Sequence, residues 1–165
     1  MQWVTIRTLM STKIAPIPDG YHSVTPYLVV HDGARAIEFY QQAFGAREIM
    51  RMAGPDGKIG HAEIQIGDSR IMLGDECPRQ KTRSPVSLGG TPTGICLYVE
   101  DCDAIFAKAV ALGGKMVHPL QDQFYGDRSG TLTDPFGHLW TVATHKEDVT
   151  PEEMRKRMAA MCGSK

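Results

Sequence analysis

His61 and Glu63 stand two residues apart in "GHAEIQIGDSRIML", with Gln65 and Arg70 close behind. In an extended segment, residues two apart share a face, so an imidazole, a carboxylate and an amide would project together. Such a set could coordinate a divalent ion, let Glu63 act as a general base, or form a hydrogen-bonded polar wall closed by a Glu63–Arg70 ion pair. Two ligands make neither a structural nor a catalytic metal site. The wall is therefore the favoured expectation, polar ligand recognition or base work by Glu63 comes second, and a metal comes last. A second set, Phe124, Tyr125, Asp127 and Arg128 in "DQFYGDRSG", allows two readings. It is either a turn held by an Asp127–Arg128 contact or a rim where Tyr125 and Arg128 grip a flat or anionic ligand. His118 and His138 stand apart from both sets. Cys96 could be a nucleophile, although a buried neutral thiol is the commoner state. No G-x-S-x-G, P-loop or dinucleotide fingerprint is present.

The elements that carry these residues occur twice. "TPYLVVHDGARAIEFYQQAFGA" from Thr25 answers to "GICLYVEDCDAIFAKAVALGG" from Gly94. Each has an apolar strand, an Asp (Asp32, Asp101) placed to cap a helix, the helix, and a glycine (Gly45, Gly113) placed to end it. Ile37, Phe39, Tyr40, Ala43 and Phe44 form the apolar stripe of the first helix, and Ala104, Ile105, Val110 and Leu112 that of the second. Three extended segments follow each helix, with "AGPDGK", "GD" and "DPFG" as turns. The fold class expected is α+β, two β-α-β-β-β modules. The divisions are an N-terminal arm at 1–20, a first module at 21–76 and a linker at 77–93. A second module at 94–148 and a C-terminal helix and tail at 149–165 complete the chain. The linker, rich in Pro, Gly and Ser, is expected to be exposed. The arm is expected to be flexible. Met10 opens a segment that reads as an ordinary start, so the first nine residues read as upstream translation or a loose arm. In the tail Thr150 should cap a helix, with Pro151 in its first position and Glu153 closing a capping box.

Alternation divides the strands into two faces. Leu28, Val30, Ile64, Ile66, Ile71, Leu73, Ile95, Leu97, Val99, Trp140 and Val142 form an aliphatic face that must pack under the helices. The opposite face mixes polar, small and aromatic residues: Thr25, Tyr27, Val29, His61, Glu63, Gln65, Arg70 and Met72 from the first module. Gly94, Cys96, Tyr98, Leu139, Thr141 and Ala143 continue it in the second. Tyrosines and a methionine are costly to leave in water, so this face is expected to wall a pocket.

The 165 residues suit one domain or two small modules on one core, and 42% apolar with 22% charged residues is a globular composition. A formal net charge of −1 and the lack of a basic run argue against nucleic acid as a partner. Four cysteines without C-x-x-C spacing read as free thiols, no segment is apolar for long enough to cross a bilayer, and the opening residues make a poor signal peptide. The expected compartment is the cytoplasm, with no membrane partner.

Paired modules with V-x-D before an A-I-x-F-Y helix resemble the vicinal oxygen chelate superfamily of glyoxalase I, extradiol dioxygenases, fosfomycin-resistance transferases and bleomycin-resistance proteins. The resemblance covers Tyr21 to about Asp148. "HAEIQIGDSRIML", "DQFYGDRSG" and "DPFGHLWTVATHKED" are similar to the glyoxalase-like branch found beside phosphonate genes. In metal-using members the resemblance implies one His, Gln or Glu ligand on the first and last strands of each module. Those positions fall on Thr25 and Gly94, each seven residues before its capping Asp, and on Met72 and Thr141. None is a good donor for a divalent ion, so no cofactor is expected and a metal is disfavoured. The expected function is metal-independent binding of a small organic molecule in a sheet cup by a homodimer. The expected contacts are Thr25, Tyr27, His61, Glu63, Gln65, Arg70, Met72, Cys96, Tyr98, Tyr125, Arg128 and Thr141. The alternative is an enzyme of the glyoxalase, isomerase or dioxygenase kind, using an unconventional metal set or Glu63 as general base. A lesser alternative is a domain whose main role is dimer-mediated assembly.

Overall fold

The computed structural model describes residues 14–162. Residues 1–13 and 163–165 lie outside the described residues, and with them most of the expected N-terminal arm. The first module comprises β1 (Tyr27–Val30), α1 (Gly33–Phe44), β2 (Arg47–Ala53), β3 (Ile59–Ile66) and β4 (Ser69–Asp75). A one-turn 3-10 helix (Pro78–Gln80) and the short α2 (Pro85–Leu88) connect it to the second. That module comprises β5 (Gly94–Tyr98), α3 (Cys102–Ala111), β6 (Lys115–Asp122), β7 (Asp127–Thr133) and β8 (Leu139–His145), with α4 (Pro151–Cys162) after it. The sheets run β1-β4-β3-β2 and β5-β8-β7-β6, parallel between β1 and β4 and between β5 and β8. This is the α+β arrangement of paired β-α-β-β-β modules.

Local chemistry sets the element ends. The Asp32 and Asp101 carboxylates accept from the Arg35 and Ala104 N–H groups at 3.1 and 3.0 Å, closing the first turns of α1 and α3. Gly45 ends α1 in the left-handed region at φ 68°, where a Cβ would be strained. The second helix ends differently from the expectation: Leu112 caps α3, and Gly113 follows it at φ 106°. Its buried face is Cys102, Phe106 and Ala109, while Val110 and Leu112 are exposed. The apolar residues of α3 extend around more than one face, and tertiary packing chose among them.

One core serves both modules. α1 lays Tyr40 and Phe44 against Trp140 of β8, with ring centroids 5.5 and 4.7 Å apart, and Phe136 of the "DPFG" turn meets Phe39 edge-on at 6.1 Å. Asp134 in that turn accepts four hydrogen bonds: from Tyr40 Oη (2.7 Å), Trp140 Nε1 (2.9 Å) and the N–H groups of Phe136 and His138. His138 Nε2 lies 3.1 Å from the Val29 carbonyl on the free edge of β1. The turn of one module is thereby bonded into the other.

The linker is less exposed than its composition suggests. Ser84 and Pro85 are buried, because the Glu76 carboxylate accepts from the Ser84 N–H (2.9 Å) and the Ser87 hydroxyl (3.0 Å) at the start of α2. The tail helix forms as expected, with Thr150 accepting from the Glu153 N–H at 3.2 Å. The Glu153 side chain instead receives Arg157, which also forks onto Glu147 with two 2.8 Å bonds.

Candidate functional site

Because the aliphatic faces of both sheets share one core, the opposite faces turn away from it. Tyr27 is 50% exposed on the first and Tyr98 60% exposed on the second. Ala143, expected on the open face with room around it, is instead buried, beside its β7 ladder partner Ser129, which is buried too.

On the first sheet, register gathers the polar residues. Glu63 lies opposite Met72, Gln65 opposite Arg70, and Tyr27 beside Met72. The Glu63 carboxylate lies 3.5 Å from Arg70 Nη1 and 3.5 Å from His61 Nε2, and the Tyr27 hydroxyl is 3.4 Å from His61 Nδ1. A residue that sequence reasoning missed completes the set. Tyr21, just before β1, lays its ring 5.2 Å over the Arg70 guanidinium, and its hydroxyl acts on the ionisation of Glu63. The Tyr21 hydroxyl is the largest influence holding Glu63 below the usual carboxylate range, with His61 and Arg70 assisting and burial opposing. Gln65 turns outward, donating to the Gly67 carbonyl and accepting from Arg47 at 3.0 Å each. The Thr25 hydroxyl donates to the His22 carbonyl at 3.4 Å.

The second sheet carries a separate cluster. Asp127, only 6% exposed, accepts from the Tyr98 hydroxyl at 2.7 Å and pairs with His145 Nδ1 at 2.7 Å; His145 Nε2 continues to Asp148 at 3.1 Å. Burial pushes Asp127 upward, yet its bonds from Tyr98 and His145 outweigh that and leave it below the ordinary range. The same contacts push Tyr98 up to about 12 and raise His145, in each case chiefly through the bond to Asp127. Burial and then Asp127 raise the Cys96 thiol, the opposite of what a thiolate nucleophile needs. Thr141 shares a 3.1 Å hydroxyl bond with Thr131, and Tyr125 sits half-exposed with its ring edge-on to Phe124.

The expected Asp127–Arg128 contact is replaced by two others. Successive residues of β7 point to opposite faces, so Arg128 turns to α3, forking onto Asp103 at 2.7 and 2.8 Å and reaching Asp122 at 3.2 Å. The pairing of Asp127 with His145 escaped sequence reasoning because they are 18 residues apart and meet only through the β7–β8 register.

The sequence-derived residues thus fall into two clusters. His61, Glu63, Arg70 and Tyr27 are linked on one face; Cys96, Tyr98 and Thr141 lie on the other. Between the modules a cleft of ≈ 810 Å³ runs along the free edge of β5, walled by Ile66, Ile71, Ile95, Leu97 and Trp140, with Arg70, Cys96 and Tyr98 at its border. At the four positions implied for metal ligands, Gly94 has no side chain, Met72 offers a thioether, and the Thr25 and Thr141 hydroxyls are already bonded. That donor set does not fit a divalent cation. Among the described residues no three His, Cys, Asp or Glu side chains gather where an ion could sit. No helix among them is long and apolar enough to cross a membrane.

The model of one protein family, described as the Glyoxalase/Bleomycin resistance protein/Dioxygenase superfamily, matches residues 20–142. An uncharacterized Mycobacterium tuberculosis protein, Rv0887c, is 43% identical over 141 residues, covering 84% of this chain and 83% of its own. Among solved structures, TioX from Micromonospora sp. ML1 is 30% identical with a TM-score of 0.58, covering 74% of this chain and 97% of its own. The fosfomycin resistance protein FosX from Listeria monocytogenes, solved with Mn(II) and sulfate, shares the fold. It has a TM-score of 0.57 at 24% identity, covering 82% of this chain and 95% of that one.

Proposed function

This chain belongs to the Glyoxalase/Bleomycin resistance protein/Dioxygenase superfamily, and from that premise we propose that it binds a small organic molecule without a metal. The ligand lies in a cup between the open face of the first sheet in one subunit and that of the second sheet in another copy. One observation carries this reading: within a single chain the two mixed-polarity faces both look away from the shared core, leaving Tyr27 and Tyr98 exposed. Each face is half a pocket, and a two-fold partner supplies the other half. The homodimer thereby becomes part of the site. The cytoplasm is the proposed compartment, where Cys77, Cys96 and Cys102 stay free.

General-base work by Glu63 is less well supported, since Tyr21, His61 and Arg70 all favour its charged form and lower its basicity. Protein purified without chelators should carry well under one equivalent of divalent metal, scatter light as a dimer, and gain thermal stability with at least one compound in a screen of drugs and metabolites. A stoichiometric ion lost on His61→Ala or Glu63→Ala would overturn the metal-free reading. A monomer would remove the cup, and a silent screen would remove the ligand.

A further inference from the structure

We infer that the cleft between the modules is a second binding site, which takes an organic monocarboxylate with an apolar body and grips its head on Arg70. The site is built within one chain, so it goes beyond the cup and does not depend on a dimer. The two meet at a border formed by Arg70, Cys96 and Tyr98.

Arg70 is only partly used by the protein. Nη1 reaches Glu63 at 3.5 Å, and the Tyr21 ring lies 5.2 Å from the guanidinium carbon. Nε is buried without an acceptor, and no hydrogen bond among the described residues uses Nη2. Those two nitrogens form one edge of the guanidinium, and elsewhere in this chain the same edge takes a carboxylate. Arg51 forks onto Glu48 through Nε and Nη2 at 2.7 and 2.6 Å, and Arg128 forks onto Asp103 through Nε and Nη2 at 2.7 and 2.8 Å. On Arg70 the carboxylate's place is taken by Gly20, where an added Cβ would stand 3.1 Å from Nη2 and 3.3 Å from Nε. A carbon there offers no lone pair, so an incoming acceptor relieves a buried, unpaired donor. The cover is lightly held. Residues 14–20 are exposed, the Tyr21 N–H bonds back to Pro18 within its own turn at 3.1 Å, and His22 meets Asp68 at 3.9 Å with both side chains in solvent. A ligand displaces this strap while β4 keeps Arg70 in place.

The cleft sets the rest of the ligand. It measures ≈ 810 Å³ and is walled by Ile66, Ile71, Ile95, Leu97, Ile105 and Trp140. Ile95 and Leu97 belong to the aliphatic face, yet on the free edge of β5 they stay only half-buried. An apolar body laid along them completes that burial. Among the residues lining the cleft Arg70 is the one Arg or Lys, while Asp68, Glu100 and Asp101 stand along it. One negative charge is matched on the Arg70 fork; a second would face those carboxylates without a partner.

Four probes with one ring system separate these terms: 2-naphthoate, neutral 2-naphthamide, 2,6-naphthalenedicarboxylate and 2-naphthylphosphonate, which takes a second charge in mildly alkaline buffer. Titrated by calorimetry in such a buffer into the full chain, 2-naphthoate should bind at least about tenfold tighter than each of the others. Arg70→Lys keeps the charge and loses the fork, and should weaken 2-naphthoate about tenfold. Ile105→Trp fills the cleft from α3, on the helix side of the sheets, and should weaken 2-naphthoate at least about tenfold. An amide that binds as well as the carboxylate overturns the charged head, and an equal dicarboxylate or phosphonate overturns the single charge. Affinity unmoved by Arg70→Lys overturns the fork, and affinity unmoved by Ile105→Trp overturns the cleft. If no probe binds, this inference falls while the cup keeps its own test. A monomer that binds 2-naphthoate would remove the cup and leave the cleft.

Discussion

Tyr40 and Asp134 lie 94 residues apart, and a 2.7 Å hydrogen bond joins them in a site closed to water. Burial pushes the Tyr40 hydroxyl well above its ordinary value, and Asp134 adds to the effect. Neither partner can turn to solvent if the other is lost. Tyr40→Phe, which deletes one donor and keeps the ring, should cost about 2 kcal/mol in denaturant unfolding. Asp134→Ala orphans Tyr40 Oη, Trp140 Nε1 and two backbone N–H groups, and should cost about 3–5 kcal/mol. A loss under about 0.5 kcal/mol for Tyr40→Phe would show that the bond carries no net stability. The same principle separates Asp127 from Arg128: adjacent in sequence, they serve different sheet faces, and each is satisfied by partners remote from the other.

Among the elements, the linker helix α2 depends on a single carboxylate. The Ser84 N–H, then the Ser87 and Ser84 hydroxyls, hold Glu76 at about 2 against an ordinary 4.5. A carboxyl whose folded value is depressed stabilises fully above its unfolded value, and the contribution fades as pH falls from there through the folded value. Amide exchange at Ser84–Leu88, after correction for the intrinsic rate, should therefore speed up as pH drops below about 4.5 and keep rising toward 2. Glu76→Gln should exchange fast throughout, with no acid step; a wild-type profile flat across that window would refute the tether. Such elements differ in how well the sequence announces them. Asp32, Asp101, Gly45 and Thr150 act within five residues of themselves, so capping and alternation place the helices and sort Ile64, Ile66, Leu73, Trp140 and Val142 into the core. The Tyr98–Asp127–His145 cluster was hidden because register between β7 and β8 is a tertiary choice. The roof that Tyr21 makes over Arg70 was hidden too, since a residue before the first strand has no periodicity to betray its direction. Ser84 and Pro85 were misjudged as exposed because composition reports flexibility on average, while one acceptor at Glu76 can bury a particular turn.

The whole molecule is organised by the aromatic cluster between α1 and β8. With Phe44 and Trp140 packed at 4.7 Å and the Asp134 turn bonded into α1, neither module has a complete core without the other. Orientation of the faces follows from that packing. A sequence that shows two modules cannot show whether their mixed faces converge within one chain, because both arrangements use the same strands. Here they diverge, and the divergence has a genetic consequence. In the proposed dimer, a chain crippled at Glu63 and another crippled at Tyr98 would each give a homodimer whose two cups are both defective. In a mixed dimer the two lesions fall in one cup and the other is whole. Co-expressing Glu63→Ala and Tyr98→Ala subunits should thus restore about a quarter of the wild-type binding capacity under random pairing, although each variant alone has none. Titration of ligand sites in the mixed preparation reads this directly. A capacity no greater than that of the separate variants would mean that each chain builds its site alone. Two damaged alleles would otherwise repair one another.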